Sequence, residues 1–79
     1  MGNEEIRLGK YRHFKGNEYE VIGVARHSET LEKLVIYKSL YESERYPKGT
    51  LWARPLSLFL SKKRIDDKEV PRFEYLGDE

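Results

Sequence analysis

Glu18-Tyr19-Glu20-Val21-Ile22-Gly23-Val24-Ala25-Arg26-His27 reads as a β-strand. Side chains alternate faces along a strand, so Tyr19, Val21, Gly23 and Ala25 share one side and Ile22 and Val24 the other. Gly23 amid β-formers marks a bend or bulge of the kind that closes a small barrel. The polar Ser28-Glu29-Thr30 suits a short link to an antiparallel partner. That partner is Glu32 to Tyr41, with Leu34, Ile36 and Leu40 on one face and Val35, Tyr37 and Tyr41 on the other. Apolar residues on both faces suit a strongly curved sheet better than a flat one with a solvated side.

Upstream, Tyr11-Arg12-His13-Phe14-Lys15 is a strand that ends at the Gly16-Asn17 turn signal. Residues 1–9 form a polar lead-in, a loose arm or a short edge strand. Downstream, Ser39 and Glu42 match the capping-box spacing, so a helix over Ser39 to Arg45 rivals the strand, but Pro47 and Gly49 leave it no room to propagate. Leu51-Trp52-Ala53-Arg54 is the next strand, ended by Pro55, which lacks a backbone donor. Leu56, Phe59 and Leu60 repeat with helical spacing and predict a short helical turn over the core. Lys62 to Ile65 can pair with Val70 to Leu76 across Asp66-Asp67-Lys68. The expected fold is all-β: a small SH3-like barrel of about five strands with one short helical turn, the alternative being an oligonucleotide-binding-type barrel. It occupies residues 10–76, between the arm and a C-terminal tail at 77–79. Val21, Leu34, Ile36 and Trp52 are the expected carriers of stability.

A chain of 79 residues supports one core; at this size about 60% of the unfolded surface is buried. Large aromatic side chains, ten in all, help to fill it. The absence of cysteine excludes a disulfide framework and a thiolate metal site. No apolar run approaches the roughly 20 residues that span a bilayer, and Ile6 stands where a myristoylation signal after Met1-Gly2 wants a hydroxyl. The expectation is a cytoplasmic protein without membrane contact, cofactor or metal.

A net charge of +1 conceals segregation. Arg45 to Ile65 holds six basic residues and no acid, interleaved with Tyr46, Trp52 and Phe59. Ile6 to Asn17 holds Arg7, Lys10, Arg12 and Lys15, again without an acid. Such blocks suit a face that attracts anions and stacks rings; as solvated surface, or as protection of a strand edge, they need no ligand. Candidate ligand-binding residues are Tyr11, Arg12, His13, His27, Glu29, Trp52, Arg54, Lys62 and Lys63. Arg12 and His13 are adjacent on a strand and point to opposite faces, with Lys10 on the side of Arg12. Trp52 and Arg54 share a face, where an indole beside a guanidinium could hold a ring and an anionic group; Trp52 could equally be core, and Arg54 could pair with Glu29 or Glu32. His27 beside Glu29 and Glu32 is the nearest approach to a general acid/base cluster, against the simpler reading of a polar turn. No nucleotide-binding loop, nucleophile elbow or triad occurs, so no catalytic or metal-binding residue is assigned. The expected partner is single-stranded nucleic acid or another anionic ligand such as a nucleotide; the alternative is a protein or peptide partner held in the manner of an SH3 domain.

Three segments carry a family resemblance: Tyr11-Arg12-His13-Phe14-Lys15-Gly16; His27-Ser28-Glu29-Thr30 with Glu32 and Val35-Ile36-Tyr37; and Trp52-Ala53-Arg54-Pro55 with Phe59. With Pro71-Arg72-Phe73 as a closing motif, the chain from about Tyr11 to Phe73 resembles a small bacterial family, domain of unknown function 1653. The turn before Val70 departs from that pattern, carrying Asp67-Lys68 in place of a glycine. The resemblance implies a small stand-alone domain and brings no reaction, substrate or cofactor with it.

Overall fold

The computed structural model describes residues 6–77; the first five residues of the arm, with its Met1-Gly2 start, and the last two of the tail lie outside them. Seven strands and one helical turn follow in order: β1 (Gly9–His13), β2 (Glu18–Arg26), β3 (Lys33–Ser39), β4 (Leu51–Pro55), α1 (Leu56–Phe59), β5 (Lys62–Ile65), β6 (Lys68–Pro71) and β7 (Phe73–Gly77). Five of them make an antiparallel sheet in the order β4-β3-β2-β1-β7, and β5 and β6 form a separate hairpin. The all-β expectation holds, and the helical turn stands where the spacing of Leu56 and Phe59 put it. Closure does not: β4 and β7 remain the two edges of an open sheet. The expected pairing of Lys62–Ile65 with Val70–Leu76 is divided at Arg72, so the hairpin stays apart while β7 returns to β1. Ser39 to Arg45 is not helical; β3 ends at Ser39 and irregular chain follows.

The bulge at Gly23 is present and it resets the faces. Val21 pairs with Tyr37 and Gly23 with Ile36, leaving Ile22 as the extra residue. Val24 then falls opposite Val35 and packs on the core together with Val21, so the expected set of Val21 with Gly23 and Ala25 is broken after Val21. The same register corrects the face assigned to β3. Val35, Tyr37 and Ser39 are buried, while Leu34 and Ile36 are only half-buried on the opposite side.

Ile6, Tyr11, Val21, Val35, Tyr37, Phe59 and Phe73 form the core. Helical turn α1 delivers Phe59 onto Phe73, stacked at 4.1 Å between centroids and 6° between planes. Tyr11 and Tyr37 meet Phe59 at 5.3 and 5.4 Å. In so small a domain these rings supply much of the buried apolar area. The buried Ile6 belongs to this core, though it lies in the stretch expected to be a polar arm. Among the described residues, no helix is long and apolar enough to cross a membrane.

Candidate anion-binding face

The two faces of the sheet differ in how charge is handled. On the outer face, cross-strand neighbours compensate one another: Lys10 and Arg12 each reach Glu18 at 3.9 Å, and Lys38 reaches Glu20 at 3.5 Å. The inner face carries the aromatic core and, at its margin, cations without such partners. Trp52 opposes Tyr37 and Arg54 opposes Val35, so both side chains turn inward. Arg54 is half-buried; its Nε–H donates to the Tyr37 hydroxyl at 3.3 Å, and its guanidinium lies 5.4 Å from the Phe73 ring centroid. A cation over a ring is attracted by the ring's quadrupole, but that does not neutralise its charge. Among the described residues no carboxylate forms an ion pair with Arg54, and the expected pairing with Glu29 or Glu32 does not form.

His13 turns inward because it alternates with Arg12. It meets Phe73 edge-on at 4.9 Å and Phe14 at 4.4 Å, and its Nδ1 accepts the Lys15 backbone N–H at 3.2 Å. Burial holds its pKa below the usual imidazole value, and the positive charges of Arg54, Arg72 and Lys15 hold it down further. Arg54 and His13 both border the Phe73 ring, and Lys15 lies 5.9 Å from the centroid of the Phe14 ring that packs on His13, so the lowered imidazole pKa accords with a gathering of positive charge there. Arg72 is fixed where β6 gives way to β7: its backbone N–H donates to the Ser61 carbonyl at 2.9 Å and its Nε–H to the Ser61 hydroxyl at 2.9 Å, while its own carbonyl accepts the Phe14 N–H at 3.0 Å.

Tyrosines flank the cluster. Tyr19 and Tyr41 share a hydrogen bond of 2.7 Å between their hydroxyls, and the Tyr19 ring meets Tyr37 at 5.2 Å and Phe73 at 5.8 Å. Burial raises the pKa of Tyr19 well above the phenol range, the bond to Tyr41 raises it further, and Arg54 opposes both. The phenol therefore stays protonated as a hydrogen-bond donor or acceptor. The set presented together is a guanidinium with two NH2 groups to spare, an imidazole, a second guanidinium, a lysine and neutral hydroxyls. That is the donor inventory of an oxyanion site.

Of the residues singled out from sequence, Arg54 and His13 come together here. Arg12 points to the opposite face. Tyr11 is buried, its hydroxyl donating to the Arg7 carbonyl at 2.8 Å and its ring against Phe59 and Tyr75. Trp52 is half-buried against the core and meets the exposed Tyr46 edge-on at 4.9 Å; its buried Nε1–H has no partner. Lys62 and Lys63 are exposed on the β5–β6 hairpin. His27 and Glu29 lie in the turn between β2 and β3, where the His27 Nδ1 accepts the backbone N–H of Glu29 at 3.1 Å and of Thr30 at 3.4 Å. Those bonds are what the polar-turn reading requires. Arg72, Lys15, Tyr19 and Tyr41 were not singled out; only the basic window around Lys15 and the Pro71-Arg72-Phe73 motif hinted at two of them. Among the described residues, no group of three or more His, Asp or Glu is placed to hold a metal ion.

Between the end of β1 and the hairpin runs a groove of about 470 Å³, lined by Arg12, His13, Phe14, Ile65, Val70, Pro71 and Glu74. His13 thus lines this groove and also borders the Phe73 ring that Arg54 approaches.

Fold and site define a small antiparallel β-domain with an aromatic inner face rimmed by cations. The family described as Protein of unknown function (DUF1653) matches residues 9–75, and the chain belongs to it. A crystal structure of a DUF1653 protein from Bordetella bronchiseptica is similar over 95% of this chain and 92% of that one, with 35% sequence identity and a TM-score of 0.84. No curated protein matches the chain.

Proposed function

We propose that the domain is a binding module for an anionic, ring-bearing ligand, single-stranded nucleic acid or a nucleotide, held at the inner-face cluster of Arg54, His13, Arg72 and Lys15. The observation that carries the reading is Arg54. A half-buried guanidinium whose partners among the described residues are a phenol and a ring costs desolvation that no carboxylate among those residues offsets, and a bound anion would supply the missing charge. Rings at the margin, Phe14 beside His13 and Tyr46 beside Trp52, offer stacking surfaces for bases. Lys62 and Lys63 extend the positive charge along the hairpin. We read the fold as an opened SH3-like arrangement, supported by the return of β7 to β1 after the helical turn.

Titration of the intrinsic fluorescence with short single strands at low salt tests the proposal. Binding that weakens steeply with salt and is reduced in Arg54→Gln is expected; absence of binding by the native chain overturns it. The groove lined by Phe14, Ile65, Val70 and Pro71 favours a second reading, an extended peptide docked there. A salt-insensitive peptide ligand, with no binding of single strands, would establish that reading instead.

A further inference from the structure

We infer that the cluster around Arg54 takes a terminal phosphate, the phosphomonoester at the end of a strand or on a mononucleotide, rather than a phosphodiester within a chain. The inference rests on the proposed anionic ligand and narrows it to one chemical group.

Three features of the site lead there. Arg54 is recessed: it is half-buried, with Nε engaged by Tyr37 and its guanidinium near the Phe73 ring, which leaves its two NH2 groups without a hydrogen bond among the described residues. An internal phosphodiester carries a sugar on each side and meets a recessed guanidinium only if the strand kinks sharply. A terminal phosphate projects beyond the last sugar and reaches in without that distortion.

The second feature is the concentration of charge. Arg54 and His13 both border the Phe73 ring, Lys15 lies 5.9 Å from the centroid of the Phe14 ring that packs on His13, and Arg72 is tied to Phe14 through its carbonyl; none of the three cations is in an ion pair among the described residues. A phosphodiester brings one negative charge, whereas a phosphomonoester carries about −1.5 to −2 near neutral pH with three exposed oxygens. Convergent cations suit the second group, while a spaced row along a groove suits the first.

The third feature is the supply of neutral donors. The 2.7 Å bond between the hydroxyls of Tyr19 and Tyr41 uses one phenolic proton and leaves the other. Tyr37, as acceptor from Arg54, keeps its own proton to donate. Two phenolic O–H groups beside a guanidinium can satisfy a phosphate with several acceptor oxygens.

The experiment compares one short thymidine oligonucleotide in three forms, with hydroxyls at both ends, a phosphate on the first residue or a phosphate on the last, alongside inorganic phosphate. Dissociation constants come from titrations at fixed salt, and His13 and Arg54 side-chain NMR signals report the site. At least one end-phosphorylated form should bind about tenfold more tightly than the hydroxyl form, a difference of about 1.4 kcal/mol. Inorganic phosphate should shift both signals. Arg54→Gln should erase the preference while leaving the weaker binding of the hydroxyl form, and Lys62→Gln with Lys63→Gln should weaken all forms alike. Arg54→Lys, which keeps the charge but not the planar fork, should lose most of the preference, and it provides a second variant if Arg54→Gln fails to fold. Equal binding of all three forms overturns the terminal-phosphate inference and leaves single-strand binding standing. Binding of none of them overturns both.

Discussion

Arg54 is placed where a residue selected for stability alone would be apolar. It turns inward with Trp52 and Val35 as strand neighbours, yet among the described residues its charge meets the Tyr37 hydroxyl and the Phe73 ring and no carboxylate. Replacing an uncompensated, partly buried cation by an apolar side chain of similar length is often neutral or stabilising. Arg54→Met should therefore keep or raise the thermal midpoint while weakening anion binding and removing the preference for a terminal phosphate. A sharply lowered midpoint would make Arg54 a structural residue. His13 feels the same field. Its folded-state pKa lies below the ordinary imidazole value of 6.5, so the unfolded chain binds more protons between those two values and stability there rises with pH. The contribution is complete above about pH 6.5 and is lost as pH falls toward the folded-state value. Urea midpoints measured from about pH 5 to pH 7 should rise less steeply in His13→Gln than in the native chain. Identical slopes would show that His13 titrates alike in both states. The residue types at this site were legible in part: alternation alone sets His13 opposite Arg12 and puts Arg54 with Trp52. Tyr19 and Tyr41 were not, because hydroxyls 22 positions apart meet only once a bulge and a loop have been placed.

At the level of elements, strand positions follow from β-branched and aromatic runs broken by Gly, Pro and Asp, and these local signals survive in β1 to β4. Which face of β3 is buried does not follow, since Leu34 and Ile36 are as apolar as Val35 and Tyr37. The decision is made across the ladder, where the extra residue Ile22 shifts the register and Phe59 covers one side only. The hairpin β5–β6 shows the opposite case: Asp66 and Asp67 both adopt left-handed backbone, at φ 52° and 65°, so a two-residue primed turn forms without glycine. Aspartate tolerates that region; leucine does so poorly. Leu31, in the link between β2 and β3, nonetheless has φ 64°, and is held there by its N–H to the His27 carbonyl at 2.8 Å and by Arg26 Nη1 on its carbonyl at 2.8 Å. Its side chain is 62% exposed, so it has little packing to lose. Leu31→Gly should relieve about 1 kcal/mol of strain, partly offset by greater freedom of the unfolded chain. A rise of a few degrees in Tm is expected for a domain this small. An unchanged or lower Tm would mean that the leucine side chain contributes contacts of equal worth.

For the molecule as a whole, the sheet sorts charge into two populations that a net charge of +1 conceals. On the outer face Lys10, Arg12 and Lys38 are matched across strands by Glu18 and Glu20, as expected of solvated surface. Inner-margin cations and the hairpin pair Lys62 and Lys63 form no ion pair among the described residues, so they are the charges available to an anionic strand. The linear charge blocks suggested an anion-attracting face, but they could not divide Arg12 from Arg54, because that division depends on which side of the sheet each residue takes. Each phosphate neutralised on a single strand contributes roughly −0.7 to the slope of log affinity against log salt. On the proposed reading, a terminal phosphate bearing about two charges at the Arg54 cluster and one or two strand phosphates at the hairpin give about three or four neutralised charges, so a slope of about −2 to −3 is expected. Neutralising Lys62 and Lys63 together should flatten that slope by about one unit. Arg12→Gln, on the outer face, should leave it unchanged, and Tyr46→Ala should weaken binding without altering it, because stacking releases no counterions. Affinities of these variants at four or more salt concentrations decide among the contacts. A flattened slope in Arg12→Gln with none in the lysine variant would place the strand on the outer face and exclude the inner one.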